Sequence, residues 1–268
     1  MPRPFASPTV PATLAVLAVL AVLVTGRPAK AQGPDGGAEL TSDRPTFAST
    51  TGTSPAGRLT TELGVAVTFA DNLVLDLPNA SLRLGALPWL EVRLGGMNAV
   101  FRFDDTAGTD FGIETLRVGT KLGGSPIPGL AIATILEIRL PTATDGFGAP
   151  EAVPSFELII DYALTNWLTV TANGTGRVRA TYDDVTMETE RFPAGLAGLA
   201  FMAATTDRLS LYMQGYVKST DRHETAVVVG GGLTYLVLPR MQIDAGFDSR
   251  VTDTGPAPTV RAGTTFLY

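Results

Sequence analysis

From Arg58 to Tyr268 the chain alternates apolar with polar or small residues at period two, segment after segment. Period two sends successive side chains to opposite faces of an extended strand. In 58–70, Leu59, Thr61, Leu63, Val65, Val67 and Phe69 share one face, and Arg58, Thr60, Glu62, Gly64, Ala66 and Thr68 share the other. The pattern recurs over 77–86, 89–98, 111–122 and 129–141, then around Phe156–Tyr162 and Leu168–Ala172, and over 191–203. It continues through Leu209–Val217, Val227–Tyr235, Met241–Phe247 and Val260–Tyr268. These are twelve candidate strands, each near the ~10 residues that a tilted strand needs to cross a bilayer. Segment 191–203 has the weakest pattern, because Gly and Ala occupy both faces. Interior charges collect on one face; Glu114 and Arg191 depart from this and are read as rim positions at strand starts.

Alternation also suits a soluble sandwich, so other features must decide. The connections alternate in length. LGALPWLEV, YALTNWLTV, MAATTDRLSL and YLVLPRMQI are tight hairpins, and longer polar connections separate them. Short turns at one end and long loops at the other are the layout of an outer-membrane barrel. Phe69, Trp89, Tyr162, Trp167, Tyr235, Phe266 and Tyr268 lie near strand ends, where an interfacial aromatic girdle falls. The C-terminal TVRAGTTFLY ends in an aromatic residue, with Phe266 and Tyr268 as the expected membrane-insertion signal read by the barrel assembly machinery. The predicted fold is all-β: a single antiparallel transmembrane barrel of about twelve strands in outer-membrane lipid.

Composition fits this picture. Hydrophobic residues make up 45% of the chain and charged residues 17%, below the roughly one quarter usual in soluble domains. Cysteine is absent, which excludes disulfides, thiolate metal sites and a cysteine nucleophile. Residues 1–31 read as a secretory signal: Arg3, an apolar run from Ala12 to Val24, and Ala29-Lys30-Ala31 as the cleavage site. Cleavage removes Arg3, Arg27 and Lys30 and no acid, moving the formal charge from −6 to −9. An acidic chain without a basic run argues against nucleic-acid binding. The expected location is the outer membrane of a Gram-negative bacterium, with residues 32–57 periplasmic and 58–268 forming the barrel.

Several stretches together resemble a known family. TSDRPTF (41–47) precedes RLTTELGVAVTF (58–69), and LEIRLPTATDGFG (136–148), PSFELIIDYALTNWLTV (154–170) and TTDRLSLYMQGYV (205–217) follow. They resemble the outer-membrane transporter-like family linked to the MetA pathway of phenol degradation, across essentially the whole mature chain. The resemblance implies passive uptake of a small hydrophobic or aromatic cargo. A non-conducting structural or adhesive barrel is the alternative, and an outer-membrane hydrolase a third.

The candidate site is the lumen. Inward charges are expected at Glu62, Arg83, Glu91, Arg93, Arg117, Lys121, Glu137, Arg139, Glu157, Asp161, Lys218, Asp244, Asp248 and Arg261. Both signs occur, so Glu91 with Arg83, and Glu137 with Arg117 and Lys121, are expected to pair across strands. Such charges suit either a porin constriction or a network filling a narrow lumen. Asp43, Arg44, Pro45 and Phe47, ahead of the first strand, are expected to fold into or against the periplasmic mouth as a plug. His223, the only histidine, reads as a solvated loop residue, so no catalytic site is expected. The acidic runs Asp104, Asp105, Asp110 and Asp183, Asp184, Glu188, Glu190 read as outer loops without EF-hand spacing. Neither a metal site nor a cofactor is expected.

Overall fold

The computed structural model describes residues 39–104, 108–183, 188–219, 225–252 and 255–268. The expected signal segment, His223, Asp105 and Asp184 lie outside the described residues. Every regular element is a strand. The first half contains β1 (Leu59–Phe69), β2 (Leu73–Leu77), β3 (Ser81–Leu87), β4 (Leu90–Gly95), β5 (Ala99–Asp104), β6 (Gly108–Ile113), β7 (Arg117–Ile127) and β8 (Leu130–Arg139). The second half contains β9 (Val153–Ala163), β10 (Leu168–Asp183), β11 (Glu188–Ala204), β12 (Leu209–Ser219), β13 (Thr225–Leu238), β14 (Met241–Arg250) and β15 (Thr259–Leu267). All pairings are antiparallel, and β15 returns to β1 over Thr60↔Leu267 to Thr68↔Thr259, closing the sheet. The result is a closed twelve-stranded barrel, because three of its wall strands are each split in two.

The splits fall side by side, and the alternating pattern did not announce them. Pro78, which lacks an N–H, separates β2 from β3. Gly96 and Met97, both in the left-handed region (φ 83° and 58°), separate β4 from β5. Glu114, Thr115 and Leu116 separate β6 from β7. Asn98 stitches the breaks together. Its Oδ1 accepts from the Ala80 N–H at 3.0 Å, its Nδ2 donates to Glu114 at 2.9 Å, and its carbonyl accepts from the Glu114 N–H at 2.8 Å. Glu114 is therefore a mid-wall residue at a strand break, not the rim residue expected from the sequence. Arg191 lies near the loop end of β11, exposed and ion-paired with Glu151.

The barrel is turned inside out relative to a soluble fold. Large apolar side chains face outward and are exposed, among them Leu63, Leu84, Leu94, Leu211, Met213 and Phe247. Polar ones face inward and are buried, among them Thr60, Glu62, Arg83, Glu91, Lys121 and Thr265. This is what a strand facing lipid on one side requires. Hairpins at 87–90, 127–130, 163–168, 204–209 and 238–241 lie at the same end as the start of β1 and the end of β15. The 127–130 turn joins the four read from the sequence. The inward face is not uniformly polar: Ala133, Ile135 and Ile159 form a buried apolar cluster on β8 and β9.

Candidate functional site: the lumen and the segment across it

Residues 41–53 form a loop whose ends meet. Thr41 Oγ1 donates to the Thr53 carbonyl at 3.3 Å, and Asp43 Oδ1 accepts from the Thr50 N–H and hydroxyl at 2.9 and 3.0 Å. An irregular segment has no strand ladder to satisfy its amides, yet buried amides require acceptors. The barrel wall supplies them. Glu62 accepts from the Asp43 N–H at 2.8 Å, Glu157 from Ser49 at 3.2 Å, Asp161 from Thr51 at 3.0 Å, and Glu91 from Ser54 at 2.6 Å. On the far side, Gln214 Oε1 accepts from the Phe47 N–H at 2.9 Å. Partners on β1, β4, β9 and β12 can all be reached only from within the lumen.

Asp43 sits at the centre of the charge network. It receives Arg93 Nη1 at 2.6 Å and Lys121 Nζ at 2.8 Å, with Arg83 Nε at 3.7 Å. Arg83 also donates to Glu62 at 2.7 Å and Glu91 at 3.0 Å, and Arg93 donates to Glu91 at 2.9 Å. Arg83, Glu91 and Lys121 are fully buried. The wall acids Glu62 and Glu91, with Glu137 against Arg93, meet part of the positive charge, and Asp43 pairs with all three cations. Burial alone would push the Asp43 pKa up; Arg83, Lys121 and Arg93 outweigh it and hold the carboxyl well below its ordinary range.

Arg44 reaches the neighbouring part of the wall, on β1, β15 and β14. Its Nε lies 3.2 Å from Asp244 Oδ2, and its Nη2 donates to the Ala262 carbonyl at 3.0 Å. Its guanidinium lies directly over Gly64 and Gly263, which are register partners across β1 and β15. A Cβ on either glycine would collide with it. The Pro45 carbonyl accepts from Arg261 Nη1 at 3.1 Å, and Arg261 also pairs with Asp248. The Phe47 ring stacks on Tyr216 with centroids 4.7 Å apart. Ser42 Oγ and Thr265 Oγ1 lie 2.8 Å apart.

The remaining expected lumen residues divide into two groups. Glu157 and Asp161 hold the loop and flank Ile159, so residues 49–51 cover the apolar cluster. Glu137 pairs with Arg93 at 3.5 Å and not with Arg117 or Lys121, which corrects the expected grouping. The reason is Asp43, which captures Lys121. Arg117, Arg139 and Lys218 make no contact with the loop. At the terminus, the Tyr268 N–H donates to Leu59 O at 2.9 Å, and the Phe266 and Tyr268 rings are 6.5 Å apart. Sequence reasoning missed the hydroxyls of Thr41, Ser42, Thr51 and Ser54. Among the described residues no group of three His, Asp or Glu is placed to hold a metal ion. Asp110 lies 3.7 Å from Arg102 on the exposed loop end of the wall.

Comparison with known proteins follows this geometry. Among solved structures, the COG4313 outer membrane channel from Pseudomonas putida F1 superposes with a TM-score of 0.63 at 10% identity, covering 84% of this chain and 100% of that one. The NanC porin gives 0.55 at 8% identity, covering 78% and 98%, and the KdgM porin 0.52 at 6%, covering 76% and 98%. These likenesses establish the outer-membrane barrel fold. No curated protein matches the chain. The family model described as "Putative MetA-pathway of phenol degradation" matches residues 42–268, from the lumenal loop to the last residue. The chain belongs to that family.

Proposed function

We propose that the protein is an outer-membrane channel for passive uptake of a small hydrophobic or aromatic compound, with residues 39–57 serving as a plug that narrows the path. One observation carries this reading: the lumen wall is divided. The charges that grip the loop stand on β1, β3, β4, β7, β9, β14 and β15. Inward positions 194–202 of β11 (Ala194, Leu196, Gly198, Ala200, Met202) and the inward face of β13 (Ala226, Val228, Gly230, Gly232, Thr234) carry no charge, Glu190 lying further out on β11. Between them β12 presents Tyr212, Gln214 and Tyr216, and Phe47 from the loop stacks on Tyr216. An apolar solute following the stretch from Tyr212 to Tyr216 passes short side chains and aromatic rings, with Asp248 held by Gln214 and Arg261 and Lys218 further out on β12, whereas the charged side is closed by paired side chains. The family membership supports an aromatic cargo. The tight turns, the start of β1 and the end of β15 then face the periplasm, the plug being anchored at that end.

Uptake by proteoliposomes tests the reading. Vesicles containing the protein are expected to take up phenol or toluene faster than vesicles containing the heat-denatured protein, with a deletion strain growing more slowly on the same compound at limiting concentration. Equal rates in both assays would favour a non-conducting barrel.

A further inference from the structure

Outward of the loop, the lumen holds a second charge cluster that the plug does not use. Arg117 stands four residues along β7 from Lys121, on the side away from the tight turns. Its register partner across β7–β8 is Arg139. Two like charges directly opposite one another weaken a strand pair unless acids neutralise them; the inner cluster has such a pair, Arg83 opposite Arg93, and there Glu62, Glu91 and Asp43 sit against it. Arg177 on β10 is opposite Ser155, whose other neighbour is Glu137, two residues from Arg139. Lys218 on β12 stands four residues from Gln214, opposite Leu196. Arg139 lies within electrostatic range of Arg117 and Arg177, and Lys218 within range of Arg177, Arg179 and Arg139.

The nearby acids make no ion pair or hydrogen bond with this arc; Asp76, within electrostatic range of Arg117, accepts from Asn79. Glu137 is engaged with Arg93, Glu114 accepts from Asn98, and Asp248 takes Gln214 and Arg261. Among the described residues, Arg117, Arg139, Arg177 and Lys218 have no hydrogen bond or ion pair, and Arg139 Nε is buried without any partner. A buried guanidinium N–H without an acceptor is costly. In the inner cluster around Asp43, by contrast, Arg83, Arg93 and Lys121 each have a carboxylate oxygen close by, at 2.7, 2.6 and 2.8 Å respectively.

We propose that this arc is an anion-binding site in the outer half of the lumen, and that it takes the carboxylate of a small organic acid. Guanidinium groups suit a planar carboxylate because they offer paired N–H donors in one plane. The carboxylate oxygens would accept from Arg139 and Arg177, with Arg117 and Lys218 contributing charge from either side. Four cations on one wall also attract anions from the medium before any contact is made. The site stands whether or not the barrel conducts, since binding requires only access from the outer end.

Calorimetry on the purified full chain in detergent tests it, with benzoate as probe and benzyl alcohol as its neutral counterpart. Benzoate is expected to bind saturably, at least tenfold tighter than benzyl alcohol, and more weakly as salt is raised. R139Q/R177Q is expected to weaken benzoate at least tenfold while leaving benzyl alcohol unchanged. If that double variant fails to give the folded, heat-modifiable species, R117Q and K218Q separately are expected to weaken benzoate severalfold each. No benzoate binding by the wild-type chain, equal binding of the two probes, or variants that bind benzoate as tightly as wild type would overturn the proposal. A protein that binds benzoate yet transports nothing would sink the uptake reading and leave this one standing.

Discussion

The two sides of the lumen differ in what they do for the loop. On the side of β1, β3, β4 and β7, three cations and two acids converge on Asp43, and Arg83, Glu91 and Lys121 are sealed from solvent. On the side of β11–β13, contact comes from one stacked ring and one amide to Gln214. The difference shows that the loop is held by electrostatics and backbone hydrogen bonds at its base, and by a modest apolar contact at its tip. It also explains how the wall tolerates Lys121 and the lumen carboxylates: with the loop removed, Lys121 loses its carboxylate partner, and Glu62, Glu91, Glu157 and Asp161 lose the N–H donors that the loop supplies.

Breaking the charged side therefore has the largest effect. Deleting residues 41–53 is expected to raise single-channel conductance severalfold in planar bilayers and to lower the temperature at which the barrel unfolds on gels. Next comes Asp43→Ala, which leaves buried Lys121 without a carboxylate and takes one partner each from Arg83 and Arg93. Removing one member of a buried ion pair costs about 3–5 kcal/mol, so the loop should detach and protease should cut near residue 50 in the folded barrel. Acid does not mimic this substitution in ordinary buffers. A carboxyl whose folded pKa is depressed keeps its full contribution above its unfolded value of about 4 and loses it only as the pH falls through the folded value. Conductance is thus expected to stay flat from pH 8 to about pH 4, and a rise near pH 6 would contradict the assignment. On the apolar side, Phe47→Ala removes a stacked pair worth about 1 kcal/mol; a small rise in open-channel noise with unchanged unfolding temperature is expected. The smallest effect belongs to Glu151→Gln, which breaks an exposed pair with Arg191 and should leave conductance and stability at wild-type values.

The same contrast accounts for what the sequence made legible. Period two separated lipid-facing from lumen-facing residues because the lipid side tolerates only apolar groups, so Leu63, Leu84 and Met213 could be placed outward without a structure. The alternating connection lengths placed the tight turns together at one end of the barrel, where those between β3 and β4, β9 and β10, β11 and β12, and β13 and β14 do lie. Breaks in strands were not legible, because Pro78 and the Gly96-Met97 pair resemble ordinary irregularities until Asn98 is seen bridging them. Pairings inside the lumen were legible only within neighbouring strands. Arg83 with Glu91 is a two-strand contact and could be read. Lys121 with Asp43 joins residues 78 positions apart through an irregular loop and could not. One signal was available and unused: Gly64 and Gly263 are bare positions in strands otherwise rich in side chains, and they form the floor beneath Arg44.

The placement of the loop inside the barrel is the claim on which the rest depends, and the chain's lack of cysteine allows a direct measurement. Ser42 and Thr265 have their hydroxyl oxygens 2.8 Å apart, one on the loop and one on the inner face of β15. The double variant S42C/T265C, exported and purified without reductant, is predicted to form an intramolecular disulfide, seen as faster migration of the denatured chain on a non-reducing gel and lost on reduction. Two free thiols in the folded barrel, titrating fully with a maleimide, would place the loop elsewhere and contradict the account.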